Sequence, residues 1–366
     1  MKKFFLAALA IAAIASCTKN EVNEVTANDQ ITFQTVVGPN TKALIDGIVY
    51  NTSDPAFGTV AYYIANGETF PGDADLYIPE SMVSYSSPYW STATPYYWPK
   101  NGSLTFFSYS PYTELESSME CDETTGLTLT AWDVHANPNV DVMVADVQTD
   151  QTANDSHGGY TGVPTIFRHK LSQIVDVTFK TDKDYANSHD GTPGNEFVAG
   201  DKQFFINYVK INKLEQTGTY TSGNDVDDTH LGTWNLPATP AYDHNYNWFS
   251  ETAPFDTEFK SAPTSANTMA YLLVMPQTYE NFTAPQTAAD VSNVEVKYTI
   301  RTYTDESHYS DDVVTTHVSM YDIFSTSHTL DMNNKVTINF TIGVNQIYWA
   351  PSVVAWEGQT GAATIN

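Results

Sequence analysis

The chain has 366 residues and a formal charge of −27; 13% of its residues are aromatic and 16% are charged. That length admits two domains, and a composition rich in Tyr, Phe and β-branched residues suits strands around a real core. So acidic a body repels nucleic acid and anionic membrane surfaces, which excludes both as partners.

Lys2 and Lys3 precede an apolar run at residues 4–14. That run is shorter than the ~20 residues needed to cross a bilayer. Residues 1–16 therefore read as a secretory signal. Ala15 and Ser16 stand directly before Cys17, and the Ile-Ala-Ser-Cys pattern resembles a bacterial lipobox. Cys17 is the expected lipidation site, and the outer membrane is the expected anchor through an N-terminal lipid. Loss of Lys2 and Lys3 with the signal would take the charge from −27 to −29. Residues 18–24 are polar and charged without hydrophobic period, which reads as a solvated tether. Acidic residues just after the cysteine resemble the surface-export signal of some Gram-negative lipoproteins. Cys121 is the one remaining cysteine, so no intramolecular disulfide is available and stability must come from burial.

A lone strand is expected at 31–37, with Ile31, Phe33, Thr35 and Val37 as its alternate residues. Lys42 and Ala43 follow as a candidate cut site. Residues 17–42 thus form a lipid-anchored tether and leader.

From Ala43 onward no amphipathic helix of ordinary length stands out. Short apolar or alternating runs recur, broken by Gly, Pro, Asn, Asp and Ser, which predicts sandwiches of antiparallel strands. The first runs lie at 57–64, 104–109, 127–132 and 140–147, with a proline-punctuated aromatic segment at 88–99. A polar, Gly-rich stretch at 148–164 marks a boundary between domains at 43–163 and 164–366. The second domain opens with a long one-sided strand at 166–179. His169, Leu171 and Val175 lie on its apolar face, and Arg168, Lys170 and Asp176 face water. Further strands are expected at 204–211, 269–275, 294–300, 336–342 and 347–356. Residues 215–265 read as mostly loop.

Several segments carry a family resemblance in their order. They are Tyr96-Tyr97-Trp98-Pro99, Leu104 to Tyr112, Asp141-Val142-Met143-Val144-Ala145, Phe167 to Ser172, Met275-Pro276-Gln277, and a closing Pro351, Val354 and Trp356. With the lipobox, they make the chain similar to the fimbrillin family, the lipoprotein-derived type V pilus subunits of Gram-negative gut and oral bacteria. The resemblance implies two transthyretin-like β-sandwich domains in tandem. It also implies export as a lipoprotein, removal of the leader by an arginine- or lysine-directed protease, and donation of a strand to the next subunit. Here Thr41-Lys42-Ala43 places Lys where the family's Thr-Arg-Ala-like context has Arg. Ile347, Trp349, Val353 and Trp356 are the donor-strand candidates, and other pilus subunits are the implied partners. Removing an edge strand exposes backbone N–H and C=O groups, and a donated strand repairs that loss.

Other chemistry finds little footing. No histidine pair has zinc-site spacing, and neither a Gly-x-Ser-x-Gly elbow nor a phosphate-binding loop is present. No enzyme activity, cofactor or metal is expected. Residues 224–228 form an acidic loop without the EF-hand pattern. The alternative is a monomeric, surface-anchored glycan-binding lipoprotein, with Trp90, Trp98, Trp234 and Trp248 as a stacking platform for host or bacterial glycans.

Overall fold

A computed structural model of the chain describes residues 30–35, 56–87, 89–154, 162–182, 196–224, 232–237, 245–249, 264–265, 270–343 and 347–355. In chain order the strands begin with β1 (Phe33–Thr35), β2 (Phe57–Ile64), β3 (Asp75–Ser86), β4 (Tyr89–Thr92), β5 (Ser103–Ser110) and β6 (Met119–Asp122). They continue with β7 (Gly126–Asp133), β8 (Met143–Ala145), β9 (Gln148–Gln151), β10 (Val163–Thr165), β11 (Phe167–His169) and β12 (Ser172–Thr181). The second half holds β13 (Lys202–Asn212), β14 (Thr217–Thr221), β15 (Thr233–Asn235), β16 (Asn245–Phe249), β17 (Thr264–Ser265) and β18 (Leu272–Val274). It ends with β19 (Gln277–Thr278), β20 (Asn293–Asp305), β21 (His308–Ser319), β22 (Thr329–Leu330), β23 (Asn334–Ile342) and β24 (Ile347–Ala355). Two four-residue helices, α1 (Tyr112–Leu115) and α2 (Met320–Ile323), interrupt them. The fold is all-β, as the punctuated apolar runs predict.

The first sheet runs β10-β1-β4-β3-β2-β5-β8-β11, with β9 also on β5. Its two end strands are separated in sequence by Ile166 alone, so the sheet has to curl back on itself. The curl encloses Ile31, Phe33, Phe57, Ile78, Val83, Trp90, Leu104, Phe106, Met143, Val163 and Phe167. The opposite faces of β2 and β5 present Val60, Tyr62, Phe107 and Tyr109 to a second core, beneath the sheet β15-β14-β7-β6. Strand side chains alternate between faces. Strands buried on both faces therefore read as continuous apolar runs such as Phe106-Phe107, without the alternation of a half-exposed strand.

The chain passes to a second sandwich at Lys170 and Leu171. The long strand expected at 166–179 is two strands here, β11 in the first sheet and β12 in the second sandwich. The Lys170 N–H still donates to Val142 O at 2.8 Å, whereas Ser172 Oγ already donates to Asp331 O at 2.5 Å. Lys170 does not face water; it is 2% exposed. The second sandwich packs β17-β12-β23-β24 against β16-β13-β20-β21, with β18 also on β12. Ile174, Phe179, Val209, Trp248, Val296, Ile338 and Phe340 are among the residues that fill it.

Two findings depart from a simple antiparallel tandem. The pairs β1/β10 and β12/β23 are parallel. The domain boundary expected at 163/164 does not hold, because β11, β14 and β15 join the sheets of the first half. Leu273 and Met275 reach into that core as well. The stretch at 215–265, expected to be mostly loop, supplies β14 to β17, because Tyr220 and Trp248 are fully buried and need sheet neighbours.

Candidate assembly site

β1, the strand expected to act as a leader, is short and deeply held. β1 lies between two partners, parallel to β10 (Phe33 opposite Val163, Thr35 opposite Thr165) and antiparallel to β4 (Phe33 opposite Trp90). Just upstream, Gln30 bridges Tyr97, and the Ile31 N–H donates to Tyr96 O at 2.8 Å. From the other side the Val163 N–H donates to Thr32 O, also at 2.8 Å. Ile31 is 1% exposed and Phe33 2%. The Phe33 ring meets Phe57 and Phe106 edge-on, with centroids 5.7 and 5.8 Å apart. Two such side chains contribute roughly 3–6 kcal/mol by burial. A Cβ on Gly162 would lie 2.6 Å from Thr32 O, so the approach of the leader backbone requires glycine there.

Removing β1 would uncover the facing edges of β4 and β10 and leave an apolar slot floored by Phe57, Phe106 and Val163. This slot is what sequence reasoning missed. The aromatic segment around Trp90 and the run containing Phe106 are its signals, but only pairing shows that they meet. Of the expected leader residues, Ile31 and Phe33 point into the core and Thr35 is half-buried. Val37 lies outside the described residues, as do Cys17, Lys42 and Ala43.

The C-terminal strand is held differently. β24 pairs antiparallel with β23 over nine positions, from Ile342 opposite Ile347 to Asn334 opposite Ala355, and forms the edge of its sheet. Trp349 is 37% exposed, Val353 45% and Val354 51%. The Trp349 indole N–H donates to Asp322 O at 3.0 Å, and Ile347 packs against the rim of the core. Trp356 lies outside the described residues. β1 and β24 belong to different sandwiches, so one chain does not bring slot and donor candidate together.

The tryptophans make no platform. Trp90 and Trp248 are buried in separate cores, and Trp98 packs on Phe106 at 5.9 Å. Trp234 packs against Tyr220 and donates its indole N–H to Lys170 O at 2.6 Å. The glycan-binding alternative thereby loses the contact surface on which it rested. His169 is a buried partner of Asp141, with Nδ1 2.6 Å from Oδ2. Residues 225–228 of the acidic loop lie outside the described residues, and no cluster of three metal-ligating side chains occurs among the described ones. A groove of about 390 Å³ opens beside β6, lined by Val60, Tyr62, Leu76, Glu80, Tyr109 and Cys121 among others. In it Tyr109 donates to Glu80, and burial, the largest cause, together with that carboxylate pushes the phenol up. Burial also pushes the Cys121 thiol up to about 12, which keeps it an inert thiol.

Among the described residues no helix is long and apolar enough to cross a membrane. A search of curated proteins finds no match. Among solved structures, a fimbrial protein from Bacteroides vulgatus shares 17% identity at a TM-score of 0.60, covering 90% of this chain and 100% of that one. A Bacteroides ovatus protein described as a candidate cell adhesion protein shares 13% identity at 0.45, covering 90% and 98%. The tip fimbrial protein Mfa3 from Porphyromonas gingivalis shares 11% at 0.34, covering 83% and 96%. Only the first is similar enough to speak for the fold. A family model described as fimbrillin-like matches residues 53–356, from just before β2 through the end of β24. The chain belongs to the fimbrillin-like family.

Proposed function

We propose that this chain is a structural and adhesive subunit of a cell-surface fimbria, working by strand exchange and without chemistry. It is exported as a lipoprotein through Cys17 and held at the outer membrane until its leader is cut after Lys42. Its two sandwich units are the bodies of the subunit; β1 fills the acceptor slot of the first, and β24 is the strand that a neighbour receives. Other subunits of the same polymer are its partners.

The observation that carries this reading is the seat of β1: a three-residue strand with Phe33 buried in it and Ile31 buried just upstream, between two strands that would otherwise be edges. While the leader is covalently attached, it refills the slot at high effective concentration. Once cut, it becomes a peptide held by a few kcal/mol, in the range of about millimolar affinity, and a longer strand can displace it. β24 has nine residues and, among the described residues, a single ladder to give up.

The test is the N-terminal sequence of the protein recovered from cells, with Lys42→Ala beside it. The expected mature N-terminus is Ala43, and K42A is expected to retain its leader and form no SDS-resistant ladder. A wild-type protein that keeps Cys17 at its N-terminus and never ladders would sink the stalk-subunit reading.

A further inference from the structure

The layers around the second core do not match in width. The sheet β15-β14-β7-β6 ends at β6, whereas the first sheet continues past it from β2 to β3. Residues paired across neighbouring strands share a face. Leu76 lies opposite Tyr62 of that core. Met82 lies opposite Gly58, whose other neighbour, Tyr109, is in the same core. Both side chains therefore turn towards the missing layer, and both are left in water: Leu76 is 58% and Met82 41% exposed. The groove of about 390 Å³ opens at this step, between Met119, Glu120 and Cys121 of β6 and Leu76 and Glu80 of β3. Three consecutive residues of β6 line it, so it follows the free edge of that strand and not one of its faces. The edge turns the Cys121 carbonyl into the groove, where the Tyr62 hydroxyl donates to it at 3.2 Å and leaves it a second lone pair.

The pattern of β6 selects the occupant. Met119 is buried and Cys121 half-buried, whereas Glu120 and Asp122 are exposed. A strand laid beside β6 alternates in the same way. Its inward residues would cover Leu76 and Met82, which calls for apolar side chains. Its outward residues would stand beside Glu120 and Asp122, where opposite charges are favourable and like charges are not. Among the described residues no Lys or Arg lines the groove, and Glu80 adds a third carboxylate from β3. The acids that turn away an acidic strand thus admit a basic one. The described strands of this chain do not supply it. Lys210, Lys297 and Arg301 lie in β13 and β20, each already paired on both sides. β24 contains no charged residue.

We propose that the groove along β6 receives an extended segment of another protein in which apolar and basic residues alternate, added as a fifth strand to the sheet β15-β14-β7-β6. The main chain of the segment pairs with the β6 edge, its apolar side chains complete the layer over β3, and its Lys or Arg residues choose this edge over others. The proposal goes beyond the fimbrial reading and does not depend on cleavage at Lys42, since β1 packs into the other core of the first sheet.

The test uses the full, leader-intact chain with Cys17→Ser and a fluorescent hexapeptide in which Val and Lys alternate, followed by anisotropy. The peptide is expected to bind saturably, to weaken as salt rises, and to slow hydrogen exchange along β6. Its counterpart with Glu in place of Lys is expected not to bind. Glu120→Lys, an exposed change, is expected to weaken binding by about tenfold or more. Leu76→Ser, which removes an exposed apolar side chain, is expected to weaken it as well. Asp312→Lys makes the same change of charge on exposed β21, in the other sandwich, and is expected to leave binding unchanged. Three results would each overturn the proposal. They are no saturable binding of the Val-Lys peptide, equal weakening by E120K and D312K, and displacement of that peptide by the uncharged peptide of residues 347–356.

Discussion

β1 and β24 are the first and last strands described, and they are held by opposite means. β1 is three residues long, yet it sits between two strands with Ile31 and Phe33 sealed in a core. β24 is nine residues long, yet it lies on an edge with Trp349, Val353 and Val354 partly in water. Length and attachment are therefore decoupled. On the proposed function, a short strand anchored by side-chain burial would stay until its covalent link is cut, and a long strand anchored mostly by one backbone ladder could leave intact.

The largest expected effect tests the burial half of this contrast. Phe33→Ala should destabilise the first sandwich by about 3–5 kcal/mol in urea unfolding of the full chain, since it empties an aromatic site in a closed core. A loss below about 1 kcal/mol would mean that β1 is a loosely attached appendage.

Next comes the seam between the two sandwiches, where burial pushes the Lys170 ammonium down to about 7 from an ordinary 10.5, with Arg168 adding to the push and Asp146 opposing it. The folded state then binds fewer protons than the unfolded state between those values. Stability should therefore rise as pH goes from 7 towards 10.5, by up to about 5 kcal/mol, and show no further loss from this group below 7. Lys170→Met should flatten that slope. An unchanged slope would place the titration elsewhere.

Gly162→Ala acts on the leader alone, by pressing a Cβ against Thr32 O. It should weaken the seat of β1 by about 1–3 kcal/mol, visible as faster hydrogen exchange at the Ile31 and Val163 amides. β23 and β24 should exchange as before. The smallest effect belongs to the edge strand: Trp349→Ala should cost about 1 kcal/mol or less, because the ring is already part-exposed and forfeits one hydrogen bond. A loss as large as that of F33A would erase the distinction between the two strands.

Much of the fold was legible in the sequence because its signals are local. The run at 57–64 is β2 residue for residue, and the alternation at 294–300 and 336–342 marks β20 and β23. Two long strands gave no such signal. β3 carries Pro79 inside the register break between the pairs Thr59–Ser81 and Ala61–Ile78, where the lost N–H is tolerated. β21 is an edge with polar residues on both faces, so it has no hydrophobic period. The split at Lys170 was illegible because alternation continues through it; only the partners of the strand change, from β8 to β23. For the site, Ile31 and Phe33 announced themselves by spacing. Trp90, Gly162 and Val163, which form the seat with them, lie 57 or more residues away in the sequence and carry no mark of that meeting.

The most direct measurement is to cut the purified, leader-intact chain with a lysine-specific protease and follow SDS-resistant oligomers against an uncut control. The account predicts no oligomers before the cut. After it, a ladder should grow as the leader fragment carrying β1 leaves (residues 20–42, since Lys19 is cut as well), and an added peptide of residues 347–356 should suppress it by filling the slot. Oligomers of equal abundance without cleavage, or a cut chain that loses its leader and stays monomeric, would contradict the claim that β1 holds the place of a neighbour's strand.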